Sequence, residues 1–282
     1  MTADCLRYGF CDAPNPGAKP APPLTMPVTL TVILAVALGI VGFFFLTTRL
    51  SMVLSQRLGL GNERDRHVYW LYRHPWLIWL VDRQLISDAI LLFQYRRLVK
   101  RTLGPACDVC RGKKVLQVSC AFGNFTRKLA KCCHRLGEVY IFDLVHSEVR
   151  NASRKLALAM DPDGCAFFQG DAVSMPVPDG TFDYVVSFFL FHELPPDKKS
   201  RVFGECLRVL KPGGMLMYGE FHRPETRLGR FWARFVFTVF EPYAREMWHW
   251  DPTRELDPAH WEVRREKVLG GYFQVTFVKR IV

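Results

Sequence analysis

Strand-like and helix-like segments alternate from about residue 113, and this alternation constrains the fold more than any other feature of the sequence. Near the end, Val263–Val268 and Tyr272–Arg280 flank Gly270-Gly271, which is typical of an antiparallel hairpin. The pattern predicts a mainly parallel sheet, covered by helices on both faces and closed by that hairpin. The other predicted strands are Val115–Cys120, Val139–Phe142, Ala166–Gln169, Tyr184–Phe189 and Met215–Gly219.

The first strand leads into a tight turn and a helix start, VLQVSCAFGNFT (115–126). In α/β folds, a glycine-rich loop at this point binds a nucleotide cofactor. An acid-x-Gly-x-Gly-x-Gly loop would place an acid at Gln117 and glycines at Ser119 and Ala121, and only Gly123 remains. The cofactor site has therefore either decayed or been rebuilt for different chemistry.

Two acids follow later strands at the positions where such a cofactor would lie. Asp143 ends the second strand, where its carboxylate can accept hydrogen bonds from both ribose hydroxyls. Asp171 follows the third strand, at the same edge of the predicted sheet. The alternatives are structural: Asp143 as a helix N-cap and Asp171 as a turn residue.

An apolar run near the N-terminus predicts a membrane anchor. Residues 28–48 contain no charge over 21 residues and would span about 30 Å as a helix. A signal peptide fits less well, because the apolar run is followed directly by Arg49 and not by a small-residue cleavage site. Arginines after the run place the bulk of the chain on the cytoplasmic or mitochondrial matrix side. Residues 1–27, rich in Pro and Ala, are predicted to be disordered.

The net charge of +11 indicates an anionic neighbour. We favour a phospholipid membrane over nucleic acid, because the aromatics near the basic residues lie among aliphatics and form no stacking groove. Residues 49–112 form a basic, aromatic-rich region in which apolar residues recur at helical spacing over 68–99. This region is predicted either to pack on the main domain or to lie on the bilayer as an interfacial helix.

Nine cysteines make no disulfide framework in a chain of 282 residues. Cys107-x-x-Cys110 is half of a zinc knuckle without a second half, so we do not expect a metal there. Cys120 and Cys206 lie in apolar patterns and are predicted core residues. A reducing compartment is the simpler expectation.

Several ordered motifs over about residues 113–281 resemble the class I S-adenosylmethionine-dependent methyltransferases. They are VLQVSCAFGNFTRKLA, the strand ending at Asp143, Gly170-Asp171-Ala172, FDYVVSFFLFHEL and LRVLKPGGMLMYGEF. The resemblance implies a Rossmann-like fold that binds S-adenosylmethionine. It implies cofactor contacts from Gln117, Ser119, Ala121, Phe122, Gly123, Asn124, Asp143, Asp171, Ala172 and Phe188. Among these, the resemblance implies that Asp171 is the acid that contacts adenine.

A longer set of motifs resembles the rhodoquinone-biosynthesis RquA family. They are His74-Pro75, Arg83-Gln84, Ala89-Ile90-Leu91, QVSCAFGNFT (117–126), FFLFHELP (188–195), EFHRP (220–224) and EPYAREMW (241–248). That family has a first loop of the type Cys-Val-Tyr-Gly-Asp. The resemblance implies that S-adenosylmethionine, with manganese, donates an amine to ubiquinone to give rhodoquinone.

The residues themselves leave three functions open. The first is amination of a hydrophobic quinone, and the second is methylation of a quinone, lipid or other apolar molecule. The third is an inactive quinone- or lipid-binding assembly protein. His192, Glu193, Glu220 and His222 follow the fourth and fifth strands, so we expect them to face the substrate or a metal. Sequence indicates no particular oligomeric state.

Overall fold

The structure is a computed structural model that describes residues 28–50, 53–54, 57–58, 82–120, 123–133, 137–159, 164–239, 241 and 243–281. Contacts divide the chain into two compact units, Met1–Ile40 and Val41–Val282. The predicted disordered segment, 1–27, and the tryptophan-rich residues 68–81 lie outside the described residues. The boundaries predicted for four segments (1–27, 28–48, 49–112 and 113–282) stay a prediction.

Helix α1 covers Val28–Phe45 and does not confirm the predicted anchor. Within the described part of the chain, no helix combines the length and the apolar character needed to cross a membrane. Regular α-helix stops at Phe45 and a π-helix follows over Leu46–Leu50, so α1 has 18 residues and is about 27 Å long. This is shorter than the about 30 Å of a hydrocarbon core. The predicted anchor over 28–48 is wrong, and so is the single-pass topology inferred from it.

The second unit is built on a seven-stranded sheet with the order β3-β2-β1-β4-β5-β7-β6. The first five strands are parallel, and β7 pairs antiparallel with both β5 and β6. This confirms the predicted Rossmann-like sheet with its C-terminal hairpin. The strands are β1 Lys114–Val118, β2 Glu138–Asp143, β3 Cys165–Gln169, β4 Phe182–Phe188, β5 Leu210–Phe221, β6 Trp261–Val268 and β7 Phe273–Arg280.

Helices precede the sheet and connect its parallel strands. They are α2 Gln84–Ile90, α3 Tyr95–Val109, α4 Phe125–Cys133, α5 His146–Ala157, α6 Pro196–Arg208 and α7 Arg227–Val239. Their buried faces pack on the two sides of the sheet in two apolar clusters. Neighbouring strand residues alternate between the clusters, with Ile141 in one and Phe142 in the other, as the two-residue period of a strand requires.

Two local departures from the predicted elements have a backbone cause. The segment predicted to be helical over 68–99 is interrupted after α2, because Leu92 and Phe93 have φ of 50° and 59°, which ends an α-helix. The apolar side chains Leu85, Ile90 and Phe93 remain exposed. The fifth strand begins earlier than the predicted Met215, because Lys211–Gly214 lie inside β5, where the pairing with β4 shifts between Phe182 and Tyr184.

The cysteines depart from the expectation of free thiols. Cys107 of α3 and Cys132 of α4 form a disulfide, which ties these two helices together. The thiol of Cys110 lies 3.1 Å from the carbonyl oxygen of Cys132. Cys120 and Cys206 are buried in the core, as predicted.

Candidate cofactor and substrate site

A cleft with a volume of about 70 Å³ opens at the carboxyl ends of β1, β2, β3 and β4. Open parallel sheets bind ligands at this edge, where the strand order reverses beside β1. Its walls combine apolar side chains with four carboxyl groups. The lining residues are Val118, Ser119, Phe142, Asp143, Leu144, Val145, Glu148, Asp171, Ala172, Leu190, Glu193, Leu194 and Val202.

Asp143 lies at the floor of this cleft, at the end of β2. Its Oδ2 accepts a hydrogen bond from the backbone N–H of Cys120 (2.8 Å), and its Oδ1 accepts one from Val145 (2.9 Å). Burial raises the pKa of Asp143, and these two backbone donors oppose that rise. The side chains of Ser119 and Cys120 are hydrogen-bonded to the same carboxylate, so the hydroxyls of a ribose diol would take the place of these two side-chain donors while the backbone donors keep holding the loop.

Asp171 and Ala172 follow β3 on the same wall. The Asp171 Oδ1 accepts a hydrogen bond from the N–H of Val173 (3.0 Å), which fixes a turn and leaves the other oxygen beside the cleft. Gly170 directly precedes them, because a Cβ there would lie 2.6 Å from the ring of Phe142. The predicted adenine-contacting acid therefore lies within the same cleft as Asp143.

Gln117 ties the loop after β1 to the start of α4. Its Nε2 donates to the Ser119 carbonyl (2.9 Å) and to the Thr126 hydroxyl (3.0 Å). Ser119 has a φ of 70°, a conformation that a glycine would adopt without strain. The buried Oε1 of Gln117 has no hydrogen-bond partner among the described residues, which leaves an unused acceptor at the end of β1.

Gly123 contacts protein side chains where the sequence predicted close approach by a cofactor. A Cβ at Gly123 would lie 2.7 Å from the hydroxyl oxygen of Tyr95. Its N–H donates to Asp82 (2.7 Å) and its carbonyl accepts from Lys155 (2.9 Å), while the N–H of Asn124 donates to Tyr95 (2.8 Å). Ala121 and Phe122 lie outside the described residues.

Lys155 also pairs with Asp82, with its Nζ 2.7 Å from Oδ1. Residue 82 and helix α5 therefore hold the loop from both sides. Phe188, a predicted cofactor contact, stacks on Phe125 with ring centroids 4.5 Å apart and meets Tyr95 edge-on at 5.7 Å. It packs behind the loop and is not among the residues that line the cleft.

His192 and Glu220 form a buried pair next to the cleft. His192 lies in the single 3₁₀ turn Phe191–Glu193 after β4, and Glu220 lies in the last part of β5. The imidazole Nδ1 is 3.1 Å from Glu220 Oε2, and Nε2 is 3.6 Å from Glu241. Burial disfavours the imidazolium, but Glu220 and Glu241 outweigh it and raise the pKa of His192 to about 9. His192 therefore carries a proton on both nitrogens at neutral pH.

The other two predicted residues of this group lie in different surroundings. Glu193 lines the cleft itself, one residue from His192. The Nδ1 of His222 lies 3.1 Å from the carbonyl oxygens of both Arg223 and Gly271, beside the β6–β7 turn. Burial lowers the pKa of His222. The structure thus brings His192, Glu193 and Glu220 to one edge and ties His222 to the hairpin.

The manganese implied by the family resemblance finds no ligand set in the part of the chain that the structure describes. No group of three or more His, Cys, Asp or Glu side chains there is arranged to hold a metal ion. The pairing of His192 with Glu220 is instead that of a hydrogen-bonded acid and base.

Sequence reasoning missed Glu148, a carboxyl group that lines the cleft from the first turn of α5. Its signal was present, since Glu148 shares the buried face of the helix with Val149, Ala152 and Leu156. An acid at an apolar position of an amphipathic helix is an informative exception.

Comparison with known proteins agrees with this fold and cleft. Residues 115–214 match the family model of a methyltransferase domain. The ubiquinone/menaquinone biosynthesis C-methyltransferase UbiE of Pasteurella multocida is 35% identical over 140 residues, which are 49% of this chain and 51% of that enzyme. A demethylmenaquinone methyltransferase of Geobacillus is 28% identical over 184 residues, or 64% of this chain and 74% of that enzyme. The chain spans about half the length of the UbiE enzyme it matches.

Among solved structures, the PH0226 protein of Pyrococcus horikoshii has a TM-score of 0.50 at 24% identity, covering 66% of this chain and 92% of that one. This likeness shows the fold alone. Together, the matched domain and relatives support membership of the class I S-adenosylmethionine-dependent methyltransferase superfamily. None of these relatives is an RquA protein, so the narrower resemblance stays a prediction.

Proposed function

We propose that this protein is an S-adenosylmethionine-dependent C-methyltransferase whose acceptor is the ring of a quinol. The observation that carries the proposal is the buried pair of His192 and Glu220 beside a cleft that contains Asp143 and Asp171. The relatives named for ubiquinone, menaquinone and demethylmenaquinone methylation support this choice of acceptor. Among the functions left open by the sequence, methylation therefore stands ahead of amination.

The residues that line the cleft fit the cofactor. The Asp143 carboxylate can accept hydrogen bonds from ribose hydroxyls, and Asp171 lies on the same wall of the cleft. Near the end of β1, Gln117 has a buried carbonyl oxygen without a partner among the described residues, which could accept a hydrogen bond from the ammonium end. When bound, S-adenosylmethionine supplies an electrophilic methyl group. The protein must then make a ring carbon nucleophilic.

His192, with the carboxylates of Glu220 and Glu241 beside it, can make a ring carbon nucleophilic. A quinol carbon becomes a good nucleophile when its neighbouring hydroxyl loses a proton, because the phenolate oxygen donates electron density to the ring. Glu220 holds Nδ1–H, so Nε2–H is the donor that can stabilise a phenolate oxygen. Glu241, 3.6 Å from Nε2, is the acceptor for the hydroxyl proton. The ring carbon that gains the methyl group would lose its hydrogen as a proton to solvent, and Glu241 would return its proton to the oxygen, which restores the hydroxyl and the aromatic ring.

Aromatic side chains next to His192 suit a flat apolar ring. The rings of Phe189 and Phe221 meet the imidazole edge-on, at centroid distances of 5.8 and 4.9 Å. Such a wall favours a quinol ring over a charged acceptor. We extend the proposal to a hydrophobic quinol on this basis.

The redox state of the acceptor tests the proposal. Purified protein is incubated with methyl-labelled S-adenosylmethionine and a short-chain quinol that has one free ring position, either reduced or oxidised. We expect label in the quinol and none in the quinone, because only the quinol has a hydroxyl proton to lose. Equal labelling of both forms, or none of the quinol while S-adenosylhomocysteine binds, would refute the proposal.

Amination of ubiquinone to rhodoquinone is the second candidate. The observation in its favour is the loop, where Gln117 and Ser119 replace an acid and a glycine. A neutral amide and an added side chain would hold the amino-acid end of the cofactor differently from a common methyl donor. An unlabelled, ring-aminated product from ubiquinone in the same assay would select this candidate. No product from any quinone, despite cofactor binding, would select the inactive binding protein.

A further inference from the structure

Glu148 is a buried carboxyl group with an unused hydrogen-bonding atom inside the cofactor cleft. It is 2% exposed, and its Oε1 has no hydrogen-bond partner in the described structure. It lines the same cleft as Asp143 and Asp171. A buried carboxyl group with a structural role alone would have protein partners for both oxygens, since an unpaired buried oxygen is destabilising.

The charged groups around Glu148 favour its neutral form. Asp143 faces it from the end of β2, Glu193 from the 3₁₀ turn after β4, and Asp82 from the segment before α2; Lys155 on α5 is the opposing cation. Burial, reinforced by Asp143, raises the pKa of Glu148 well above its usual value. A neutral carboxylic acid has one O–H donor and a carbonyl acceptor, whereas a carboxylate only accepts.

We propose that Glu148 is a specificity residue for the nucleoside part of the cofactor, and that it acts as a neutral carboxylic acid beside the hydrogen-bond-accepting Asp143. The two side chains then have complementary roles. Asp143 accepts hydrogen bonds from the ribose diol, and Glu148 donates to an acceptor atom of the nucleoside. This inference rests on the proposed function only in requiring a nucleoside cofactor.

Binding of 5′-methylthioadenosine tests the proposal, because this nucleoside lacks the amino-acid end and needs no quinol. Isothermal titration calorimetry on the full chain compares wild type with Glu148→Gln and Glu148→Met. Gln keeps a neutral group that donates and accepts, and Met keeps the size without a strong hydrogen bond. We expect Glu148→Gln to bind within a few-fold of wild type and Glu148→Met to bind about tenfold more weakly.

The pH dependence supplies a readout that loss of packing would not move. As the pH rises, wild-type affinity is expected to fall where Glu148 loses its proton, whereas Glu148→Gln should lack that fall. Asp143, Glu193, Asp82 and Lys155 are present in both proteins, so the difference isolates Glu148. Circular dichroism melting shows whether each variant is folded.

The outcomes of these binding measurements separate the role of Glu148 from the proposed function. Equal binding by wild type and both variants, or the same pH profile for wild type and Glu148→Gln, would overturn the role of Glu148. If wild type binds the nucleoside but does not methylate a quinol, the proposed function fails and the role of Glu148 stands. Absence of nucleoside binding by folded wild type would overturn both.

Discussion

The imidazole of His192 is held at 3.1 Å by the carboxylate of Glu220, which is fully buried at the end of β5. A charged pair removed from water in this way remains stable only when its hydrogen bonds are satisfied. The backbone N–H of Phe221 meets this need by donating to Glu220 (3.0 Å). The arrangement fixes which imidazole nitrogen can face a substrate.

Removing the imidazole should reduce methyl transfer without removing the cofactor. We expect His192→Asn to lower kcat on the order of 10²-fold, because one donor to the developing phenolate is lost, with S-adenosylhomocysteine affinity nearly unchanged. His260→Asn is the matched control, since His260 pairs with Asp257 on the exposed surface at 3.0 Å. Initial rates and calorimetry check both expectations. A kcat for His192→Asn equal to that of the control would remove His192 from the chemistry.

The same pair should make stability fall as the solution becomes alkaline. The pKa of His192 is raised from 6.5 to about 9 in the folded protein. A raised histidine pKa contributes stability in full below about pH 6.5 and loses it as pH rises through about 9, because the folded state then releases the proton. The contribution is roughly 3 kcal/mol by the usual conversion. Denaturant unfolding of wild type and His192→Asn at both ends of this window measures it. A stability difference that does not change with pH would contradict the assignment.

Gly123 should tolerate no side chain. The Gly123→Ala variant would place a Cβ 2.7 Å from the Tyr95 hydroxyl at a φ of 85°, so we expect a loss of about 1–3 kcal/mol. Gly204→Ala in α6 is the control, because nothing lies within 4 Å of its added Cβ. That helix should gain about 0.5–1 kcal/mol. Denaturant midpoints compare the two, and equal shifts would show that Tyr95 does not fill the space beside Gly123.

Reduction of the disulfide should weaken the fold beneath the loop. Cys107 and Cys132 are 25 residues apart, so their link lowers the entropy of the unfolded chain by an amount worth about 3 kcal/mol. We expect the Cys107→Ser/Cys132→Ser variant to unfold at lower denaturant concentration, and dithiothreitol to have no further effect on it. The control is Cys206→Ser, which removes a buried free thiol and keeps the disulfide between Cys107 and Cys132. Dithiothreitol should therefore still lower the denaturant midpoint of this variant. An unchanged midpoint after reduction of wild type would exclude a stabilising link.

Periodicity was sufficient to predict the sheet, because strands such as Val139–Phe142 and Tyr184–Phe189 are short apolar runs bounded by breakers. It could not predict the break in the helix at Leu92 and Phe93, where two ordinary residues adopt positive φ. The length of α1 likewise could not be predicted, since the apolar run continues past Phe45, at which the α-helix ends.

Within the site, the place of Asp143 and Asp171 at one edge of the sheet could be predicted, because Asp143 ends β2 and Asp171 comes shortly after β3. The partners of Gly123 could not be found, since Asp82 and Tyr95 are distant in sequence and meet the loop only in the fold. His192 and Glu220 were both candidate residues, but their pairing could not be predicted, because it depends on the register between β4 and β5.

The central claim is methyl transfer to a quinol ring, and the mass of the product tests it most directly. The protein is supplied with S-adenosylmethionine carrying a CD₃ group, together with a short-chain quinol that has one free ring position, and the quinol is analysed by mass spectrometry. The account predicts a product in which one ring hydrogen is replaced by CD₃, formed by wild type and strongly reduced in His192→Asn. A product without deuterium, in which an amine replaces a ring methoxy group, would contradict it.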